Sequence, residues 1–304
     1  MSKKVVVTIG VFDGVHRGHR KLIDHARTVA DAHDAVLVAA SFDPHPYSVL
    51  HPDEFLGLLT LAPRRTELLK DAGIDRVEYL TFDEDFRRIT PAEFIDHIIV
   101  DRLAADVIVI GANFRFGQKA AGDVATLKSM ASKYGYEVID VSLEGDDQTY
   151  SSTRVRNAIV AGDVKTARAI LGRPHRLTGV VVHGDHRGRE LGFPTANLDV
   201  IEPLLIPADG VYSGQITFDG QTEPVAISIG TNPTFDGVVG RRVEAHVMGR
   251  NDLDLYGLTV DLDFIDHVRP MVKFDGLDAL ISAMNADLEA AKAHIADFLD
   301  SSTS

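Results

Sequence analysis

Residues Gly10 to His19 read Gly-Val-Phe-Asp-Gly-Val-His-Arg-Gly-His. They follow an apolar run, Val5-Val6-Val7-Thr8-Ile9, that predicts a strand buried in a parallel sheet. They precede a helical pattern, with Leu22, Ile23, Ala26, Val29 and Ala30 at three- and four-residue steps. Strand, Gly-rich turn and helix N-terminus together form an anion site, because N–H groups of a first helical turn have no partner within the helix. The glycines, Gly10, Gly14 and Gly18, miss the spacing of the dinucleotide-binding fingerprint. Phe12 lies inside the turn. His16 and His19, three apart, share one side of the first helical turn. Two imidazoles there suit a polyphosphate, donating hydrogen bonds and balancing charge as it builds up. The plainer alternative is a Gly-rich turn with two capping histidines.

Working outward, the first half alternates strand and helix patterns. Strands are expected at Val5–Ile9, Ala35–Phe42, Arg76–Thr81, Asp106–Ile110 and Glu137–Val141, and helices near Arg17–His33, Pro63–Ala72, Pro91–Leu103 and Asp123–Tyr134. That rhythm predicts an α/β domain, a doubly wound parallel sheet with ligands at the C-terminal ends of its strands. Short helices follow at Ser152–Ala161 and Val164–Leu171. The pattern changes at Gly172-Arg173-Pro174, so domains are expected at residues 1–173 and 174–304. Beyond it, Arg176–Val182, Gly210–Phe218, Pro224–Ile229, Arg242–Met248 and Leu258–Ile265 predict antiparallel strands of a small barrel or sandwich. A long amphipathic C-terminal helix, roughly Leu277 to Leu299, is expected to pack on it.

The 304 residues are 45% hydrophobic and 25% charged, as in an ordinary globular chain. With 31 Lys and Arg against 45 Asp and Glu the formal net charge is −14, which argues against a general nucleic-acid binder. The absence of cysteine excludes disulfides, thiolate metal sites and cysteine nucleophiles. The start lacks the apolar core of a signal peptide and no apolar run reaches membrane-spanning length, so a cytoplasmic protein without membrane partners is expected.

Further segments should gather at the strand ends of the first domain. Phe42-Asp43-Pro44-His45 closes the second strand with a stiff polar turn. Gly111-Ala112-Asn113-Phe114-Arg115-Phe116-Gly117 closes another, and such a loop can stack a flat ring and hydrogen-bond its edge through Asn113. Its aromatics have a plain reading as core residues. Tyr150-Ser151-Ser152-Thr153-Arg154-Val155-Arg156 opens a helix with hydroxyls at cap positions and arginines behind, a second phosphate-ready terminus or a simple cap. Asp123 is placed to cap the helix after it. His16, His19 and His45 lack a carboxylate or further His at a recognised ligand spacing, so zinc is not expected.

In the second domain, Gly184, Gly188 and Gly192 let a loop approach a phosphate without Cβ obstruction. Thr195 and Asn197, two apart, face the same way in an extended segment and offer neutral oxygens to magnesium bridged to nucleotide phosphates. No P-loop is present. Glu244, in Arg242-Val243-Glu244-Ala245-His246, reads as a general base for an attacking hydroxyl or as an ordinary surface glutamate.

Together these motifs resemble the bifunctional prokaryotic riboflavin kinase/FMN adenylyltransferases (FAD synthetases), from about residue 5 to about residue 292. Gly10–His19, Phe42–Pro46, Asn113–Gly117 with Gly122-Asp123, and Ser151–Arg156 match the adenylyltransferase module. Gly184–Asn197, Pro207–Tyr212, Gly230–Phe235 and Val243–His246 match the kinase module. The resemblance implies an N-terminal nucleotidyltransferase domain and a C-terminal β-barrel domain, with ATP, riboflavin and FMN as substrates and Mg2+ as the metal. It implies that His16 and His19 bind ATP phosphates, with Gly10, Phe12, Gly14, Gly18, Asn113, Ser152, Thr153 and Arg156 around them. It further implies nucleotide phosphates at Gly184, Gly188, Gly192 and Thr195, metal at Thr195 and Asn197, and a base in Glu244. Flavin is expected at Phe42, Asp43, Asn113, Phe114 and Arg269. The lead before the first strand is short for that family. Met271 stands where a polar or acidic residue is expected, which bears on Arg269. Oligomeric state stays open.

Overall fold

The computed structural model describes residues 3–142, 150–184, 192–233, 239–250 and 252–302. The chain packs as two compact units: one runs to Leu56 and from Thr60 to Ser151, the other comprises Gly57–Leu59 and everything from Ser152. The second unit thus takes in two helices that precede the composition change at residues 172–174.

The first unit is a five-stranded sheet in the order β3-β2-β1-β4-β7. Its strands are β1 (Val5–Ile9), β2 (Val36–Phe42), β3 (Arg76–Leu80), β4 (Val107–Gly111) and β7 (Glu137–Val141), and every neighbouring pair is parallel. Two-residue strands β5 (Arg115–Phe116) and β6 (Gly122–Asp123) pair with each other. Both faces of β1 are apolar because both are covered. Val6, with Leu37 and Val109, packs under Ile23 and Ala26 of α1 (Arg17–Ala32) and Leu68 and Leu69 of α3 (Ala62–Asp71). Val7 and Ile9, with Val38 and Ile108, pack on the other side. Their cover is Ile95 and Ile99 of α4 (Pro91–Glu93, running on as a π-helical stretch, Phe94–Arg102) and Leu127 of α5 (Val124–Tyr134). Strand order reverses at β1, which has β2 on one side and β4 on the other. The crevice at the carboxyl ends of β1 and β4 is the place where open α/β sheets bind ligands. The polar turn expected after β2 contains a short helix, α2 (Pro46–Leu50), started by a proline that fits a first helical turn.

In the second unit, α6 (Ser152–Val160) and α7 (Val164–Leu171) lead into a closed barrel, β10-β11-β12-β9-β8-β13. Its strands are β8 (His175–Val182), β9 (Ala196–Val200), β10 (Gly210–Phe218), β11 (Gln221–Pro233), β12 (Val239–Val247) and β13 (Thr259–Arg269), antiparallel throughout. β13 pairs with both β8 and β10, which closes the circle and decides for a barrel over a sandwich. Along β8 the alternation His175, Leu177, Gly179, Val181 is buried, as one inward face requires. The final helix, α8 (Leu277–Ser302), lays Ala291 and Ile295 on Met248 and Ile265. No helix among the described residues is long and apolar enough to cross a membrane.

Candidate active sites

The turn after β1 is wound tightly. Phe12, Gly14 and Val15 all have positive φ, at 52°, 82° and 38°. Such backbone is strained for Phe and Val, so other contacts must hold it. Asp13, 1% exposed, accepts from the Thr60 N–H at 3.0 Å and hydroxyl at 3.1 Å, while Gly14 N–H donates to Thr60 Oγ1 at 3.0 Å. His16 caps α1: its Nδ1 accepts from the His19 N–H at 3.3 Å. Nδ1 therefore carries no proton, and the ring proton sits on Nε2 as a donor. The His16 and His19 rings stack at 3.6 Å and 16°, with Phe12 edge-on to His19 at 5.2 Å. A Cβ at Gly18 would press on Tyr150 Cβ at 3.1 Å and the His16 ring at 3.2 Å, so glycine lets the two imidazoles sit close to the helix start. Gly10 approaches the Phe12 ring in the same way.

Asn113 follows β4, the strand beside β1, and is exposed. Phe114 is half-buried and stacks on buried Phe116 at 5.7 Å. Phe42 is buried in the core, edge-on to Phe82 and Phe86, while Asp43 is exposed. Asp123 caps α5 by accepting from the Thr126 N–H and hydroxyl, both at 2.8 Å. Those bonds hold its carboxyl below the usual range. Ser152, Thr153 and Arg156 occupy the first turns of α6, which packs with the second unit, and Arg156 Nε donates to Gly57 O at 3.0 Å. The structure thus gathers Gly10, Phe12, Gly14, His16, Gly18 and His19 into one turn at the sheet's switch point, with Asn113 on the next strand end.

In the barrel, Asn197 of β9 lies directly opposite Glu244 of β12, and Ser228 of β11 lies opposite Glu244 on its other side. Directly opposed residues of antiparallel strands point to one face, so the three side chains share a surface. Thr195 and Asn197 line a cavity of about 530 Å³ together with Ala245, Arg250 and Tyr256. Asn197 is 9% exposed and its Oδ1 has no hydrogen-bond partner, a buried acceptor that a ligand would complete. A Cβ at Gly184 would fall on that amide, 2.6 Å from Oδ1. The Pro194 carbonyl is bonded to His246 Nδ1 at 2.8 Å, and buried Phe193 meets the His246 ring edge-on, which fixes the approach to Thr195. Gly192 has φ 83°. Gly188 and Thr234–Phe235 lie outside the described residues.

Arg242 Nη1 stands 3.6 Å from Glu244 Oε1. Arg269 engages Asp287 of α8 through two 2.8 Å bonds, with its guanidinium over Phe274. Met271 lies against this surface: its Sδ is 3.9 Å from Ser228 Oγ, and its methyl faces Gly230. Three features were not singled out in the sequence. Asp209 accepts from Thr231 Oγ1 at 2.7 Å and Arg241 Nη2 at 2.8 Å; burial pushes its carboxyl up, but these bonds outweigh that and hold it below the usual carboxylate range. The His183 and Tyr256 rings stack at 4.0 Å beside the cavity. Arg250 bridges Glu223 and Asp252 on the cavity's rim. Only Asp209, inside Pro207–Tyr212, carried a signal, since a carboxylate in a Pro- and Gly-containing turn is a common anchor.

An anion-ready turn at a switch point and an oxygen-lined cavity in a barrel are marks of a protein that handles phosphorylated ligands at two sites. Residues 1–154 match the family model described as FAD synthetase, and residues 171–295 match riboflavin kinase. A protein of Pseudomonas fluorescens named bifunctional riboflavin kinase/FMN adenylyltransferase is 36% identical, covering 95% of this chain and 92% of its own. A Listeria monocytogenes protein of the same name is 32% identical over 97% of this chain and 94% of its own. A solved structure from Streptococcus pneumoniae, titled a macrolide-efflux protein, is 35% identical with a TM-score of 0.87, covering 96% of this chain and 95% of that one. The chain belongs to the bifunctional riboflavin kinase/FMN adenylyltransferase family.

Proposed function

We propose that this chain makes FAD in two ATP-dependent steps: riboflavin and ATP give FMN and ADP, then FMN and ATP give FAD and pyrophosphate. The observation that carries the reading is that one chain holds both the stacked His16–His19 pair on its FAD synthetase half and the opposed Asn197–Glu244 pair on its riboflavin kinase half.

In the kinase step Glu244 takes the proton of the ribityl 5′-hydroxyl, whose oxygen attacks the γ-phosphorus as the bond to ADP breaks. Gly184, Gly188 and Gly192 let backbone approach the phosphates, and Arg269 borders the flavin. Asn197 Oδ1, buried without a partner, and the Thr195 hydroxyl are neutral hard oxygens that fit magnesium arriving on ATP. Bound there, magnesium would neutralise phosphate charge.

In the adenylyl step an FMN phosphate oxygen attacks the ATP α-phosphorus and pyrophosphate leaves, so positioning is the main task. His16 Nε2–H and His19 donate to the leaving pyrophosphate, and the backbone of Gly10, Phe12, Gly14 and Gly18 cradles it. Ser152, Thr153 and Arg156 supply the second phosphate-ready terminus. Asn113, Phe114, Phe42 and Asp43 hold the ring systems. The enzyme works in the cytoplasm on small molecules, without nucleic acid or membrane.

A chromatographic time course with riboflavin, ATP and magnesium tests this. FMN should appear first and then convert to FAD. His16→Ala should cut FAD formation about 10²–10³-fold and spare FMN formation, and Glu244→Ala should do the reverse by about 10²–10⁴-fold. Equal loss of both activities in either folded variant would sink the two-site reading.

A further inference from the structure

Arg65 of α3 is 2% exposed, the largest of the fully buried side chains. Its Nη1 donates to the Val11 carbonyl at 3.0 Å, and the guanidinium lies 5.1 Å from the centre of the Tyr79 ring. Its Nε is buried with no hydrogen-bond partner, and no carboxylate pairs with it among the described residues. The one buried carboxylate of the neighbouring turn, Asp13, is turned to Thr60. A buried arginine without an anion is costly, and structures normally pair it.

Three observations tie this cation to the anion turn. Val11 opens the turn, immediately before strained Phe12. The Val11 carbonyl already accepts from Ser41 Oγ at 2.9 Å, so Arg65 is not its sole anchor. Thr8 of β1, wholly buried, also has an Oγ1 without a partner. By strand alternation Thr8 shares the face of Val6, the face that α3 covers. Polar groups thus gather under the turn in a region otherwise built from apolar side chains.

We propose that Arg65 is a positioning residue for the adenylyl-transfer site: a buried positive charge beneath the Gly10–His19 turn, balanced only when a polyphosphate occupies that turn. This rests on the reading of the turn as a phosphate site. In the low-dielectric interior such a charge is weakly screened and acts on an anion it does not touch. The empty protein carries an unbalanced charge, and ATP relieves it.

The test uses the full chain with Arg65→Met and Arg65→Lys. Arg65→Met keeps a long side chain and removes the charge, while Ser41 still holds Val11. Without ligand its Tm should equal or exceed that of the unsubstituted chain, whereas an anchor needed for structure would lower it. Its KM for ATP in FAD formation should rise about tenfold or more, with the kinase step unchanged. Arg65→Lys keeps the charge and should restore KM to within about threefold. Ser41→Ala, which removes the other bond to Val11, should leave KM within the same range. A Tm clearly below the original for Arg65→Met, an unfolded Arg65→Met chain, or an Arg65→Lys variant no better than Arg65→Met would each overturn the proposal.

Calorimetric titration with inorganic pyrophosphate separates this from the reaction itself. The component of binding that His16→Ala removes should weaken in Arg65→Met and return in Arg65→Lys. If the unsubstituted chain showed that pattern but made no FAD, the adenylyl-transfer reading would fall while the role of Arg65 stood.

Discussion

Gly184 shows how little room the proposed kinase site leaves at the scale of a single residue. The atom in the way of a Cβ there is the Asn197 amide, so Gly184→Ala forces that amide to turn. Its buried, partnerless Oδ1 would then be displaced. The cost should fall on catalysis more than on folding: FMN formation slower by about tenfold or more, FAD formation from supplied FMN unchanged, and Tm within a few degrees. Steady-state assays of the two steps and a thermal melt check this; an equal fall in both rates would refute it. Side chains whose chemistry is local were readable from the chain alone. His16 and His19 lie one helical turn apart, and Asp123 stands three residues before the Thr126 N–H it caps. The opposition of Asn197 and Glu244 was not readable, because strand register, and no local signal, brings them together. The aromatics divided: Phe42 and Phe116 are core, while Phe114 is half-buried beside the exposed Asn113.

At the scale of elements, β1, β4, α1 and α5 were legible because burial on both faces of the sheet and a 3.6-residue period leave plain patterns. β9 escaped as a strand because its run, Ala196–Val200, is short and starts at the polar pair the site uses. Whether the second unit was barrel or sandwich depended on β13 pairing at both edges, which no single strand reveals. That α8 packs on the barrel was legible in its amphipathic pattern, but the particular contacts of the join were not. The join rests on the apolar contact of Ala291 and Ile295 and on the fork between Arg269 and Asp287, whose side chains are 24% and 10% exposed. Removing either partner leaves the other charge half-stranded, a loss of about 1–3 kcal/mol once partial exposure is allowed for. Arg269→Ala and Asp287→Ala should therefore lower Tm alike. Only Arg269→Ala should also raise KM for riboflavin, since Asp287→Ala leaves the guanidinium in place. If both raise KM equally, Arg269 serves the helix joint alone.

At the scale of the whole molecule, His16 and Glu244 lie in different compact units, and the intermediate that joins their reactions is a small anion able to diffuse. Neither proposed step needs a covalent enzyme intermediate, so FMN is expected to leave the kinase site as a free product. Two defective chains should then repair each other. A mixture of His16→Ala, which still makes FMN, and Glu244→Ala, which still adenylylates it, should convert riboflavin to FAD although neither does so alone. FAD should appear after a lag in which FMN builds up in solution, and added unlabelled FMN should dilute label passing from riboflavin to FAD. Direct hand-over within one chain makes the opposite forecast: little FAD from the mixture and no dilution in the unsubstituted protein. The lag and the dilution together decide whether two activities in one chain amount to more than shared synthesis.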